Sequence, residues 1–280
     1  MDSQDLHIYN RPLIKICGLQ STLAAQTALD NGADLLGVIM VPNRKRSIDL
    51  QISNQIYQLV KLERERRHQL KNIKKFKIDQ FFNSLNSTPS QNLTPSFKNL
   101  YMYKKNQLIH HGPFLVAVFQ NQSIDQINHL INHQLINFDI IQLHGSEDKL
   151  SYTNSNLINK PIISRYLMSQ FLDLNTLKDE ISLANNHLLI LLDSDKGGEG
   201  QLLDWNLINS FFIDNSQNPL LSSLSFILAG GLNIDNISNL HSLNGLIGLD
   251  VSSGVESNGI KDLEKIKTFI KIASNIPLNN

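Results

Sequence analysis

Short, wholly apolar runs that stop on a polar or small residue recur along this chain, and they constrain its fold more than any other feature. The clearest is Leu188–Gly200, LLILLDSDKGGEG, in which five aliphatic residues end at Asp193 and a glycine-rich loop follows. A run this short, with no polar alternation, is a strand buried on both faces, as in a parallel sheet covered by helices. Leu13–Gly18 (LIKICG) ends on Cys17, and Ile140–Gly145 (IIQLHG) ends on His144. Phe226–Gly231 (FILAGG) ends on two glycines, and Leu246–Gly254 (LIGLDVSSG) on Asp250, Ser252 and Ser253. Parallel α/β proteins place their chemistry at the C-terminal ends of such strands.

Between these runs the chain reads as helices. Leu13–Cys17 is the first strand, and Ser21 caps a helix that Gly32 stops. Asp34–Val41 is the second strand and runs into the cationic loop Pro42–Ser47. A second helix starts near Asp49, with Ile52, Ile56, Leu59 and Val60 at helical spacing. Phe114–Phe119, Asp139–His144, Pro161–Leu167 and Leu188–Asp193 are strands three to six. Helices are expected from Ser123 to Gln134, from Glu147, and from the fifth strand to about Ala184. Leu202–Ile213 is amphipathic, with Leu203, Leu207, Ile208 and Phe211 on one face. Ser225–Ala229 and Gly245–Val251 are the last two strands, followed by helices from Asp235 and over Asp262–Ala273. Leu263, Ile266, Phe269 and Ile270 form the apolar face of the latter. Eight strand–helix units in 280 residues favour one closed (β/α)8 barrel of the TIM type, spanning 1–280, over an open doubly wound sheet.

The pattern breaks from about Lys61 to Gly112, between the second helix and the third strand; the part through about Leu70 is compatible with an extension of that helix, and the insertion is placed at about 65–112. This stretch is rich in Lys, Asn, Gln and Ser, carries Pro89 and Pro95, and has no sustained period. It reads as a long, low-complexity, mobile insertion, whose Phe76, Phe81, Phe82, Tyr101 and Tyr103 could dock parts of it on the body. Its cations (Arg64, Arg66, Arg67, Lys71, Lys74, Lys75, Lys77) read as a solvated surface rather than a nucleic-acid patch. Leaving from the face opposite the strand ends, it is expected not to touch catalysis.

Composition narrows the function classes. Hydrophobic residues make up 41% of the chain and the formal net charge is zero, so a real core forms and neither nucleic acid nor an anionic membrane is an expected partner. No apolar run approaches the roughly 20 residues that span a bilayer. The N-terminal MDSQDLHIYNRP lacks the apolar core of a signal peptide, so the cytosol is the expected location. Cys17 is the single cysteine, which leaves no intramolecular disulfide and no cysteine metal cluster.

In such a barrel Cys17, Arg46, His144, Asp193, Gly230, Gly231, Asp250, Ser252 and Ser253 converge on one bowl. Gly230-Gly231 and Ser252-Ser253-Gly254 follow the seventh and eighth strands, where barrels bind phosphate on backbone N–H groups and helix N-termini. The expected substrate is therefore a phosphate ester. Cys17 and Asp193 form a candidate base and acid pair. Each also has a plainer reading, a small buried hydrophobe for the thiol and a loop cap for the carboxylate. Lys15 shares a strand face with Cys17 and either favours the thiolate or fills the interior with its charge paired. His144 follows Gln142 on one face and reads as a hydrogen-bonded scaffold residue rather than a catalyst; with Asp250 it is counted among the residues expected to contact the substrate. A guanidinium at the mouth suits a carboxylate, and spacing does not choose among Arg44, Lys45 and Arg46.

Eight motifs, in order, carry a family resemblance: KICG (Lys15–Gly18), GADLLGVI (Gly32–Ile39), PNRKRSI (Pro42–Ile48), QLHG (Gln142–Gly145), LLDSDKGGEG (Leu191–Gly200), LLDW (Leu202–Trp205), LAGGL (Leu228–Leu232) and DVSSGVESNGIKD (Asp250–Asp262). Together they resemble the phosphoribosylanthranilate isomerases of tryptophan biosynthesis, most of all the fungal single-function kind. The resemblance implies an Amadori rearrangement of N-(5-phosphoribosyl)anthranilate to 1-(2-carboxyphenylamino)-1-deoxyribulose 5-phosphate, by a monomer needing no cofactor or metal. Carried over by motif, Cys17 is the general base, Asp193 the general acid and Arg46 the partner of the anthranilate carboxylate. Gly231, Ser253, Gly254 and their neighbours hold the phosphate. The insertion is longer than that family's usual connection. Two other phosphate-binding barrels fit less well: the histidine-pathway aminoaldose isomerase has an Asp where Cys17 stands, and indole-glycerol-phosphate synthase uses a Lys and Glu set absent from the matching motifs. A barrel kept only for binding would have a damaged acid–base pair, and here both members are present.

Overall fold

Eight parallel strands pair in chain order and close on themselves. They are β1 (Leu13–Ile16), β2 (Leu35–Ile39), β3 (Phe114–Phe119), β4 (Ile140–Leu143), β5 (Ile162–Leu167), β6 (His187–Asp193), β7 (Phe226–Leu228) and β8 (Leu246–Val251). Closure is made where β1 pairs with β2 on one side and with β8 on the other, in a register that sets Lys15 beside Asp250. The computed structural model describes residues 10–73, 77–86, 97–133, 136–173, 187–194, 203–218 and 224–278.

Helices cover the strands, and their starts follow from local chemistry. α1 (Thr22–Asp30) is capped by Ser21, whose hydroxyl accepts the Ala24 N–H. α2 (Leu50–Leu70) is capped by Asp49, which accepts from the N–H groups of Gln51 and Ile52. Such caps satisfy N–H groups that a helix cannot pair internally. α3 (Ile78–Asn86) and α4 (Phe97–His111) follow, and α5 (Ile124–Asn132) opens with a Ser123/Gln126 capping box. α6 (Lys149–Thr153), α7 (Met168–Phe171), α8 (Trp205–Asp214) and α9 (Leu263–Ala273) complete the ring, the last two capped by Asp204 and Asp262. Two-residue strands β9 (Glu256–Ser257) and β10 (Ile260–Lys261) form a small hairpin before α9. No helix among the described residues is long and apolar enough to cross a membrane.

Several sequence expectations need correction. The helix expected from Asp235 is a 3-10 segment, Ile237–Ser242. On α8 the apolar face includes Phe212 rather than Leu207, which is 44% exposed. Of the helix expected from the fifth strand to Ala184, α7 forms and ends at Phe171; residues 174–186 lie outside the described residues, as do the loop 195–200, Lys74, Lys75, Phe76, Pro89 and Pro95.

The largest difference lies in the insertion. α2 runs on to Leu70, as the sequence allowed, but the described residues beyond it are not aperiodic: α3 and α4 pack under the barrel. Phe81 and Phe82 lie against Phe114, with ring centroids 5.7 and 5.2 Å away. Phe114 is the first residue of β3, so the contact is at the N-terminal end of the strands. α4 touches β1, β6 and β8, and Lys104 Nζ donates to the carbonyl of His187, the first residue of β6, at 2.7 Å. Tyr101, Leu108 and Ile109 are buried, whereas Tyr103 is exposed. The insertion thus closes the bottom of the barrel, opposite the end that carries Asp193. Arg64 also serves this face, donating to Asp139 at 2.9 Å and to the Pro113 carbonyl at 3.1 Å.

Candidate active site

A cavity of about 460 Å³ opens at the C-terminal ends of the strands. Cys17 enters it just beyond β1, where its N–H donates to Val251 O at 2.8 Å and continues the ladder to β8. Gly18, at φ +71°, turns the chain out of the strand immediately afterwards. Lys15 points into the barrel and is fully buried. Its Nζ donates to Gln142 Oε1 at 2.8 Å and to Asp250 Oδ2 at 3.0 Å. Both readings of Lys15 therefore hold at once: it fills the interior with its charge paired, and it lies close enough to act on Cys17. Burial raises the thiol pKa and Asp250 adds to that, while Lys15 and Lys261 pull it down; the net direction is upward. Burial opposes the Lys15 ammonium too, yet Asp250 and Cys17 outweigh it. Burial raises the Asp250 pKa, as does Asp193, against the pull of Lys15.

Asp193 closes β6 at the other side of the cavity. Its Oδ1 accepts the Ser194 N–H at 2.9 Å and its Oδ2 accepts Arg165 Nε at 2.8 Å. Gly230, at φ +80°, approaches so closely that a Cβ there would lie 3.0 Å from Asp193 Oδ1. Only glycine supplies that backbone without a clash. His144 Nε2 stands 3.9 Å from Asp193 Oδ2, and the Gln142 amide donates to His144 Nδ1 at 3.3 Å. Burial, with Arg165 and Lys15, depresses the His144 pKa to about 3, so the imidazole is neutral. A neutral ring held by Gln142 fits the scaffold reading of His144.

Arg46 is the one loop cation that is partly buried, and it is held bidentately by Glu256, Nε to Oε1 at 2.7 Å and Nη2 to Oε2 at 3.2 Å. Arg44 and Lys45 line the same cavity but are exposed. The cavity wall is completed by Gly230 and Gly231 after β7, Asp250 on β8, and Ser252 and Ser253 after β8. Gly254 is not part of that wall; it packs against the Leu232 carbonyl, with no room for a side chain.

Comparison with known proteins follows the same lines. The family described as N-(5'-phosphoribosyl)anthranilate (PRA) isomerase matches residues 68–272. The N-(5'-phosphoribosyl)anthranilate isomerase of Komagataella pastoris is 41% identical over 94% of this chain and 99% of its own length. That of Saccharomyces cerevisiae is 38% identical over 94% of each. This chain belongs to the PRA isomerase family. Among solved structures, the PRA isomerase of Thermotoga maritima superposes with a TM-score of 0.61 at 24% identity, covering 93% of this chain and 97% of that one. A PRA isomerase in complex with reduced 1-(o-carboxyphenylamino)-1-deoxyribulose 5-phosphate gives 0.59 at 23% identity, covering 93% and 97%.

Within the PRA isomerase barrel, the structure brings nine of the ten sequence-nominated residues to one cavity and sets Gly254 behind it. Sequence reasoning missed Arg165, Glu256 and Lys261. Arg165 also donates to His144 O at 3.1 Å and Ser194 O at 3.3 Å, tying β4 to the end of β6. A lone Arg inside the otherwise buried run of β5 was its only signal. A second, more apolar groove of about 580 Å³ lies between the β2 loop and α5 and is lined by neither Cys17 nor Asp193.

Proposed function

We propose that this chain catalyses the Amadori rearrangement of N-(5-phosphoribosyl)anthranilate, with Cys17 as general base and Asp193 as general acid. The observation that carries the reading is that these two groups line one cavity, with the Gly230-Gly231 and Ser252-Ser253 loops beside them. Asp193 gives its proton to the ribose ring oxygen as the C1'–O4' bond breaks and the nitrogen lone pair closes a C1'=N bond. The Cys17 thiolate takes the proton from C2'. The C–H electron pair forms C1'=C2', and the C=N pair returns to nitrogen, leaving an enolamine. Ketonisation moves a proton from O2' to C1', and exchange with solvent takes the C2' proton off Cys17 and returns one to Asp193, so the rearrangement gains and loses neither protons nor electrons.

The phosphate is held by backbone N–H groups of the loops after β7 and β8. Arg46 takes the anthranilate carboxylate, a planar match for a guanidinium. A base and an acid each contribute roughly 10²–10⁴-fold, and fixing both ends of the substrate supplies much of the rest. The chain works as a cytosolic monomer in tryptophan biosynthesis. Complementation of a tryptophan auxotroph lacking this step tests the reading. The wild type restores growth and Cys17→Ala and Asp193→Asn do not; full rescue by both variants defeats the mechanism.

A further inference from the structure

The proton transfers leave one charged cluster at the mouth unused. Glu256 and Lys261 stand opposite each other across the β9–β10 hairpin. Both side chains are nearly buried, and Lys261 Nζ meets Glu256 Oε1 at 2.8 Å. Burial raises the Glu256 pKa, but Arg46 and Lys261 outweigh it and hold the group as a carboxylate. A buried carboxylate facing the cation expected to bind substrate needs a reason, because it competes for the same guanidinium.

The contact geometry supplies one. Glu256 takes the Nε–Nη2 edge of Arg46, and a guanidinium has a second edge, Nη1–Nη2, for another carboxylate. Charge is balanced accordingly. Arg46 and Lys261 bring two cations against one Glu256 carboxylate, so one positive charge remains for a ligand. Lys261 also donates to Ser252 O at 2.8 Å, in the loop assigned to phosphate. Lys265 Nζ fixes the hairpin by donating to Glu256 O at 2.9 Å. All of this converges next to the base. A Cβ on Gly18 would lie 2.9 Å from Ser252 Oγ, 3.0 Å from Arg46 Cδ and 3.6 Å from Lys261 Nζ.

We propose that Glu256 is a positioning residue that grips Arg46 by one edge and presents its other edge to the aromatic carboxylate, while Lys261 supplies the charge that keeps this clamp cationic. The proposal rests on the reading of Arg46 as the carboxylate's partner and gives the hairpin a role in substrate selection. A Glu256–Arg46 pair without Lys261 would meet an anionic substrate as a spent cation.

The test compares two substrates, N-(5-phosphoribosyl)anthranilate and its aniline counterpart, which lacks the carboxylate. Reading the ratio of their kcat/KM values cancels any effect on the proton transfers themselves. Glu256→Gln lowers kcat/KM for the carboxylated substrate about tenfold, mainly through KM, and changes the aniline substrate less than about twofold. Lys261→Met gives the same selective loss while keeping Glu256, which covers the case in which Glu256→Gln folds poorly. Arg46→Lys removes the discrimination, and adding Glu256→Gln to it brings no further selective loss. Equal losses on both substrates in Glu256→Gln and Lys261→Met, or none, overturn the proposal while leaving Arg46 in its role. Unchanged discrimination in Arg46→Lys overturns the reading of Arg46, and the proposal with it.

Discussion

The thiol of Cys17 sits among charges of both signs, and the sign of each sets a measurable consequence. Asp250 raises its pKa while Lys15 lowers it, and those two side chains are bonded to each other. Asp250→Asn therefore moves the thiol titration to lower pH, both by removing an anion and by freeing the Lys15 charge. Lys15→Met moves it to higher pH. Because Cys17 is the single cysteine, the pH midpoint of iodoacetamide labelling reads this group alone; shifts of the opposite sign would show that the charges do not act as described. At this scale the sequence was partly legible. Cys17, His144 and Asp193 each end a visible apolar run. Glu256 and Lys261 lie within a recognised motif, DVSSGVESNGIKD, but the pairing of Glu256 with Arg46 joins positions 210 residues apart, which spacing along the chain does not reveal.

Among the elements, the insertion departs furthest from its sequence reading. Phe81, Phe82 and Leu85 are all buried and lie at helical spacing on α3, yet Asn, Lys and Ser dilute that pattern across 65–112. Arg64 reads as part of a solvated surface and is instead buried against Asp139, and Lys104 and Lys105, which carry no sequence signal, are buried under the barrel as well. A period counted over a long window cannot register helices whose apolar faces are completed by other elements, here Phe114 of β3 for α3 and the strands β1, β6 and β8 for α4. Phe82→Ala should cost about 3–5 kcal/mol of stability, read as a lower urea midpoint. It should leave kcat/KM within about twofold, because it acts at the end of the barrel away from Asp193. A large loss of turnover in folded Phe82→Ala would show that the insertion reaches the active site.

For the whole molecule, the same buried lysines couple stability to pH. Burial lowers the pKa of Lys104 from 10.5 to about 8. Between those values the unfolded chain binds more protons than the folded one, so stability from this group rises with pH from about 8 to 10.5. The gap in urea midpoint between Lys104→Met and the wild type should accordingly shift in favour of the wild type between pH 7 and pH 9.5. A pH-independent gap would contradict the assignment. The barrel itself was legible because eight covered strands leave eight apolar runs in the sequence. The short 3-10 segment after β7 was not, since Ile237 and Leu240 satisfy an α-helical pattern as readily.

In the proposed mechanism Cys17 and Asp193 flank one sugar and move its protons. Turnover of N-(5-phosphoribosyl)anthranilate, followed by the change in anthranilate fluorescence, tests this most directly in wild type, Cys17→Ala and Asp193→Asn. Each variant is expected to lose at least about 10²-fold in kcat while KM changes far less. A folded variant of either kind that keeps kcat within about threefold of the wild type would contradict that assignment.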